Sequence, residues 1–356
     1  MTETANMNGA NPAGAIKKRV AVVVGPGRSG TSALTGAMKA LSVELGDNLK
    51  RPLRKNAKGF FEDRDILDVN HRLLAVMGLH PSGSSVGPLD ETRWNDPQVA
   101  ALKAEAVKII GDRFGDCPLW GFKCGGMIRV LPFWEDVLET LGFEISYLVA
   151  IRNPLNMARS RGQLDIYRGA QAKSDAEWLA QILPYFHLVS ARPFVVVDYD
   201  RMVDDAYREV WRIGRMLEIP ETPEMDAQVR DYTSDFITAK LRHHVASRDE
   251  LRRDKTINPM TRDAYLWLVR LSADEITLDD PAFKEDWARL TRSFDEAGPF
   301  LAHIDFLENE LKRRLPPLKT IWGTVLQHLP VAATMTHGSG KGSAGKAPAD
   351  RAAQGS

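Results

Sequence analysis

The sequence predicts a three-layer α/β protein with a central parallel β-sheet and added helices towards its C-terminal end. Four short apolar runs are rich in β-branched residues and nearly continuous, as expected of strands that are covered on both faces. Helical patterns separate these runs, which favours right-handed crossovers between parallel strands. The runs cover residues 20–24, 119–123, 145–151 and 194–197.

The helices are predicted from apolar residues that recur every three or four positions and therefore share one face. Residues 31–41 follow this pattern directly after the first predicted strand, and so do residues 98–114 and 206–217. Beyond about residue 225 the patterns are mainly helical, without a clear strand. The C-terminal part of the chain is therefore predicted to add helices and no further strand.

The predicted organisation is one α/β domain over residues 18–245 and a mainly helical extension over 246–336 that packs on the same domain. The two ends, 1–17 and 337–356, are rich in small and polar residues. Such segments bury too little apolar surface to offset the entropy of ordering. We therefore expect both ends to be disordered.

Composition excludes several classes of protein. The 356 residues carry 47 basic and 47 acidic side chains, so no global field draws the protein to nucleic acid. Two cysteines, Cys117 and Cys124, are too few for a disulfide framework or a zinc site and suit a reducing cytoplasm. The N-terminal residues lack the apolar core of a signal peptide, and no apolar run approaches the roughly 20 residues of a spanning helix. We therefore expect a soluble, cytoplasmic protein.

The longest apolar stretch near the C-terminus, residues 321–334, is interrupted by Gln327, His328 and Pro330. We interpret it as a terminal helix that packs on the domain, with a membrane-surface anchor as the alternative. Peripheral membrane contact is left open on this ground.

A glycine-rich turn joins the first predicted strand to the helix at 31–41. Residues 25–32 read Gly-Pro-Gly-Arg-Ser-Gly-Thr-Ser. In such a turn, backbone N–H groups at the positive end of the helix dipole form an anion site. A kinase loop would carry lysine at Thr31, whereas the cation here stands three positions earlier, at Arg28. The alternative is a plain tight turn. The predicted phosphate contacts are Gly27, Arg28, Ser29, Gly30, Thr31 and Ser32.

A second polar stretch follows the strand predicted at 145–151. Arg152, Asn153 and Pro154 end this strand, and the next helix carries Ser160. A guanidinium presents a planar, permanently charged fork to a phosphate dianion, and a hydroxyl adds a donor. Arg152 and Ser160 therefore offer a charged fork and a hydroxyl at the end of this strand. The alternative is an arginine that pairs with a carboxylate at the strand end.

Together the two stretches resemble the nucleotide-binding motifs of sulfotransferases that use 3′-phosphoadenosine-5′-phosphosulfate (PAPS). In that family a Lys or Arg followed by Ser-Gly-Thr/Ser-Thr/Ser binds the 5′-phosphosulfate, and Arg28 begins the matching residues here. An Arg at a strand end with a Ser eight residues later binds the 3′-phosphate, which Arg152 and Ser160 match. The resemblance is to bacterial and carbohydrate-type members and covers about residues 19–245. Shorter likenesses lie at 58–74, 194–200 and 241–244.

The resemblance implies a P-loop-like fold and transfer of a sulfonate group from PAPS to an acceptor hydroxyl, without a metal. The implied acceptor is a glycan or glycolipid. In this interpretation Arg28 clamps the phosphosulfate and, with a pKa above about 12, does not protonate the leaving phosphate. Glu62, which follows an aromatic pair, is the first candidate for the general base. The alternative for Glu62 is a solvated acid that caps the helix beginning near Asp65.

Lys123 and His71 complete the predicted catalytic set. Lys123 stands where many bacterial members read Lys-Asp-Pro-Arg, but Cys124 and the two glycines after it replace the acidic and arginine partners. The role of Lys123 is therefore open. His80, His243 and His244 are weaker candidates.

Two other functions remain open at this stage. A nucleotide-dependent kinase on the same fold would bind ATP and magnesium, and Thr31 in the lysine position argues against it. Asp198 could serve such an enzyme as a magnesium ligand, but a turn role is the preferred interpretation. A non-catalytic nucleotide-binding scaffold is the other alternative. Intact Arg28, Arg152 and Ser160 argue against it, whereas the altered residues after Lys123 keep it open.

Overall fold

A four-stranded parallel β-sheet forms the centre of the protein, which a computed structural model describes over residues 17–50, 61–236 and 246–314. The strands are β1 (Arg19–Val24), β2 (Leu119–Phe122), β3 (Glu144–Ile151) and β4 (Phe194–Asp198). They lie in the order β2-β1-β3-β4, and every pairing is parallel. The predicted α/β fold class is confirmed, and each strand begins and ends within one residue of its predicted run.

Helices form the two outer layers and the C-terminal part of the described chain. Three of them, Thr31–Ala40, Pro97–Phe114 and Ala206–Met216, match the predicted stretches. The short helices Ile166–Gly169 and Phe186–Ser190 were not predicted because so few residues show no period. Two 3-10 turns cover Glu91–Asn95 and Met127–Val130. The helices are α1 (Thr31–Ala40), α2 (Arg64–Val76), α3 (Pro97–Phe114), α4 (Leu131–Thr140), α5 (Pro154–Gly162), α6 (Ile166–Gly169), α7 (Gln171–Ile182), α8 (Phe186–Ser190), α9 (Tyr199–Asp204), α10 (Ala206–Met216), α11 (Pro223–Phe236), α12 (Arg248–Arg253), α13 (Pro259–Ser272), α14 (Pro281–Glu296) and α15 (Gly298–Arg314).

The sheet separates two hydrophobic cores, because successive side chains of a strand point to opposite faces. In β1, Val20, Val22 and Val24 belong to the larger core, whereas Ala21 and Val23 belong to the smaller one. The larger core is completed by α2, α3, α4, α7 and α13, and the smaller by α1 and α10. Burial on both faces explains why the strands are continuous apolar runs.

The helices after residue 246 contribute to the same larger core. Leu251, Leu268 and Phe283 are buried in it, and Tyr265 of α13 donates a hydrogen bond to Asp198 at the end of β4 (3.2 Å). The chain divides into two compact units, Met1–Asp305 and Phe306–Ser356. The second unit is described only over residues 306–314, which continue α15.

Several predictions concern residues outside the described ranges. These are the disordered ends apart from residue 17, the terminal helix at 321–334, the start of the 58–74 likeness and the whole of the 241–244 likeness. The predicted domain boundary at residue 245 stays a prediction. Within the ranges described, no helix is both long and apolar enough to cross a membrane.

Candidate functional site

The glycine-rich turn lies at the carboxyl end of β1 and leads into α1. Gly25 and Gly30 adopt φ values of 143° and 100°, and a Cβ at Gly30 would lie 2.4 Å from the ring of Tyr199. Gly30 is the N-cap residue of α1, and no side chain caps the start of this helix. The first N–H groups of a helix have no intrahelical partner, so those of Thr31 and Ser32 are available to an anion.

Ser29 differs from its neighbours in the turn because its side chain does not reach the surface. Its side chain is fully buried, and its backbone N–H donates to the carbonyl oxygen of Pro26 (3.1 Å). Ser29 therefore shapes the turn, whereas Gly27 and Arg28 are exposed.

The two predicted phosphate sites meet in the folded chain. Nε of Arg28 donates a hydrogen bond to Oγ of Ser160 on α5, at 3.0 Å. Part of the Arg28 side chain is exposed, but the partial removal of its guanidinium from water and the charge of Arg152 both lower its pKa, although the group stays charged at any physiological pH. Two guanidinium groups of like charge thus lie near each other at the carboxyl ends of neighbouring strands.

Arg152 follows β3 and rests against the first residues of α9. Its guanidinium lies 4.7 Å from the ring centroid of Tyr199, and its Nε lies 3.9 Å from Oδ1 of Asp200. The buried Nε of Arg152 has no hydrogen-bond partner in the described part of the chain. Burial raises the pKa of Asp200, which accepts a hydrogen bond from the backbone N–H of Asn153 (3.3 Å).

The strand order places both arginines at a point that commonly binds ligands. β1 and β3 are neighbours, and the chain continues from β1 to β2 on one side but from β3 to β4 on the other. In open α/β sheets, ligands bind at the carboxyl ends of the strands where the direction of the connections changes. Arg28 and Arg152 stand after these two strands.

A buried ion pair joins two of the predicted catalytic residues. Nζ of Lys123 lies 2.9 Å from Oε1 of Glu62, and both side chains are buried. The cap of α2 is Asp63, whose carboxylate accepts from the N–H groups of Asp65 and Ile66. The interpretation of Glu62 as a solvated helix cap is therefore wrong. The acidic partner that Lys123 lacks in its own segment comes from Glu62.

Glu62, Arg28 and His71 line one cavity of about 310 Å³. Lys50 also lines it, with Nζ 3.5 Å from Oε2 of Glu62. The cavity lies beside the glycine-rich turn, since Gly27 forms part of its wall. It can therefore hold a second molecule next to an anion that is bound at the turn.

Arg161 is a site residue that the sequence analysis missed. It lies on α5 next to Ser160, its side chain is 2% exposed, and it donates to the carbonyl oxygens of Gly27 (3.2 Å) and Ser174 (2.7 Å). Glu177, fully buried, balances its charge at 3.4 Å. Nothing in the sequence marks one arginine among several on a helix as buried.

The other polar candidates have structural partners. His80 Nδ1 lies 2.7 Å from Oγ of Ser82. Asp198 caps α9, and burial raises its pKa to about 7. A turn role for Asp198 agrees with this contact. No cluster of His, Cys, Asp and Glu that could hold a metal occurs among the described residues, and His243 and His244 lie outside them.

No protein-family model matches the chain, and no curated protein matches it. Solved structures that it resembles are sulfotransferases. Sulfotransferase STF9 from Mycobacterium avium is 13% identical with a TM-score of 0.41, over 75% of this chain and 78% of that chain. The sulfotransferase domain of the Synechococcus PCC 7002 olefin synthase is 18% identical with a TM-score of 0.35, over 80% and 97% of the two chains. The sulfotransferase domain from the curacin biosynthetic pathway is 17% identical with a TM-score of 0.36, over 78% and 98%.

Proposed function

We propose that this protein transfers a sulfonate group from PAPS to a hydroxyl of an acceptor molecule. The observation that carries the proposal is the hydrogen bond between Arg28 and Ser160, with Arg152 close by. It joins the two motifs that resemble the phosphosulfate and 3′-phosphate sites of sulfotransferases. Arg28 and Ser160 lie 132 residues apart in the sequence. If either motif resembled its sulfotransferase counterpart only by chance, the two would have no reason to meet in the folded chain.

In this proposal the N–H groups at the start of α1, together with Arg28, hold the 5′-phosphosulfate. Arg152 and Ser160 hold the 3′-phosphate, which supplies the partner that the buried Nε of Arg152 lacks. Charge develops on the leaving phosphate as the sulfonate moves, and fixed donors stabilise it without reorganisation. Arg28 contributes a permanent charge and donor groups, and it releases no proton.

The acceptor hydroxyl occupies the cavity beside the turn. Its oxygen attacks sulfur, the bond from sulfur to the phosphate oxygen breaks, and the hydroxyl proton passes to a general base. Glu62 is the proposed base because its carboxylate reaches this cavity. Lys123 holds one of its oxygens in place at 2.9 Å. His71 lines the same cavity and is the second candidate.

We further propose a carbohydrate or glycoconjugate as the acceptor. The cavity volume of about 310 Å³ lies at the small end of ligand pockets, which span about 300–1,000 Å³. Its wall carries charged groups of both signs, including Lys50 and Glu62. Such a wall offers donors and acceptors to a molecule with several hydroxyl groups. Cys117 and Cys124 are both free, which accords with the proposed cytoplasmic location.

Calorimetric titration with 3′,5′-adenosine bisphosphate tests the nucleotide class. We expect micromolar binding without metal, and a loss of about 10- to 100-fold in Arg152→Ala, because a charged hydrogen-bond donor to phosphate is removed. Arg289→Ala, at an exposed arginine far from β3 in the chain, is the matched control and should bind as the wild type. Binding of ATP and magnesium alone would refute the proposal and favour the kinase, and no binding of either would refute the nucleotide site itself. Binding of the bisphosphate without any turnover would favour the scaffold.

A second measurement separates the base from the nucleotide site. Glu62→Gln should lower turnover by about 10²- to 10⁴-fold, the usual contribution of a general base. Its affinity for the bisphosphate should remain that of the wild type, because Glu62 lines the acceptor cavity. Unchanged turnover would exclude Glu62 as the base and leave His71.

A further inference from the structure

A short segment, residues 163–170, forms one wall of the cavity and is held firmly against α5. We call it the rim segment. Gly169 lies so close to Gly162 that a Cβ on Gly169 would stand 2.3 Å from the Cα of Gly162. Arg168 binds the carboxylate of the buried Glu177 with two hydrogen bonds, at 2.9 and 2.7 Å. The rim segment therefore contacts α5 through Gly169 and α7 through Arg168.

The rim segment exposes its apolar side chains while its one cation is turned inward. Arg168 points to Glu177, whereas Asp165 is exposed and caps the short helix Ile166–Gly169. Leu164 is 50% exposed, Ile166 78% and Tyr167 61%. Large apolar side chains that adjoin one another on a surface commonly mark a binding site. The folding of this segment gives no reason for three of them to face water.

One of these apolar side chains lines the cavity that contains Glu62, and the other two are its near neighbours in the chain. Leu164 lines the cavity itself, and Ile166 and Tyr167 follow it within three residues. A molecule whose polar end reaches Glu62 can therefore also contact Leu164 in the same cavity. The cavity wall thus combines charged groups with one apolar side chain of the rim segment.

We infer that the acceptor is an uncharged amphiphile, which places a hydroxyl-bearing polar end in the cavity and an apolar chain on Leu164, Ile166 and Tyr167. The inference rests on the proposed function, and it narrows the acceptor to a molecule with such a chain. A lipid bilayer is the less favoured partner. The single cation of the rim segment, Arg168, is engaged by Glu177 and is not available to anionic headgroups.

Alkyl β-glucosides with methyl, hexyl and octyl chains test the inference. Each is titrated, below its micelle concentration, into protein saturated with 3′,5′-adenosine bisphosphate. A fully buried methylene strengthens binding by roughly fourfold, and chains that are covered on one side gain less. We expect the octyl compound to bind at least about tenfold more tightly than the methyl compound.

The variant Leu164→Ser/Ile166→Ser/Tyr167→Ser should bind all three compounds within about twofold of one another. Its affinity for the bisphosphate should not change, because each substituted side chain is at least half exposed and none of them belongs to the proposed phosphate contacts. Phe300→Ser is the matched control, since Phe300 is 76% exposed, and it should keep the dependence on chain length.

Equal affinities for the three glucosides in the wild type, or no binding of the octyl compound, would overturn the inference. A dependence on chain length that survives in the triple variant would also overturn it, because the chain would then lie elsewhere. A different result would assign the three side chains to a membrane-binding surface instead. In that case the wild type binds phosphatidylcholine vesicles, the triple variant does not, and chain length has no effect on glucoside affinity. Failure of the proposed function itself would be seen separately, as no binding of the bisphosphate.

Discussion

The ion pair between Glu62 and Lys123 provides a quantitative test of the site's structure that does not depend on the reaction. The two side chains are 11% and 7% exposed, and the atoms Oε1 and Nζ are 2.9 Å apart. We consider three variants: Lys123→Met, Glu62→Gln and the double variant that carries both substitutions. Each removes charge and keeps most of the side-chain volume.

The expected costs follow from what each variant leaves buried. Removing one partner of a buried pair lowers the free energy of unfolding by about 3–5 kcal/mol, because the remaining charge has lost its solvation. In Lys123→Met the carboxylate keeps Lys50 at 3.5 Å, so we expect about 3 kcal/mol. In Glu62→Gln a buried ammonium remains without its carboxylate, and we expect about 4 kcal/mol. The double variant should cost less than the sum of the two by about 2–3 kcal/mol.

Equilibrium unfolding in urea, followed by circular dichroism, measures these differences from the midpoint when the slope is unchanged. The control is Lys108→Met, which breaks the exposed pair between Lys108 and Asp112 (2.5 Å) and should leave the midpoint unchanged. The reasoning would be refuted if both single variants had urea midpoints close to that of the wild type and their effects simply added in the double variant. The ion pair would then be solvated.

Three further changes test other parts of the site. Arg161→Gln should weaken bisphosphate binding by about tenfold in calorimetry, because the Gly27 carbonyl loses its donor and the turn is less well fixed. Gly30→Ala should lower the melting temperature, since its φ of 100° and the ring of Tyr199 exclude a Cβ, whereas Gly27→Ala, with nothing within 4 Å, should not. Asp198 binds a proton in the folded state up to a pKa of about 7 but ionises near pH 4 when unfolded. The stability of the wild type should therefore fall as pH rises from about 4 to 7, and the stability of the Asp198→Asn variant should fall less over this range.

Each of these has an outcome that contradicts it. Wild-type affinity in Arg161→Gln would mean that the turn keeps its shape without this donor. Equal melting temperatures for the two alanine variants would mean that the ring of Tyr199 moves aside at little cost. Melting temperatures of wild type and Asp198→Asn that change in parallel between about pH 4 and 7 would mean that Asp198 is ionised in the folded state.

The sheet could be predicted from the sequence because its strands are buried on both faces and so leave continuous apolar runs. The glycine-rich turn could be predicted because Gly25 and Gly30 occupy backbone conformations that exclude most other residues. The pairing of Glu62 with Lys123 could not, since it joins positions 61 residues apart and depends on how α2 packs beside β2. The burial of Arg161 was missed for the same reason. Local patterns identify which residues can bind an anion, and packing decides which charges lose water.

The conformation of Arg28 has a consequence for how this chain evolves. Its φ of 77° lies in the left-handed region, where a side chain costs about 1–2 kcal/mol and glycine costs almost nothing. A library randomised at position 28 and sorted for heat resistance should therefore enrich glycine or asparagine. The same library sorted for capture of a phosphorylated nucleotide should return arginine. Selection for thermal stability and selection for nucleotide binding thus favour different residues at position 28. The arginine found there has a backbone conformation that costs stability.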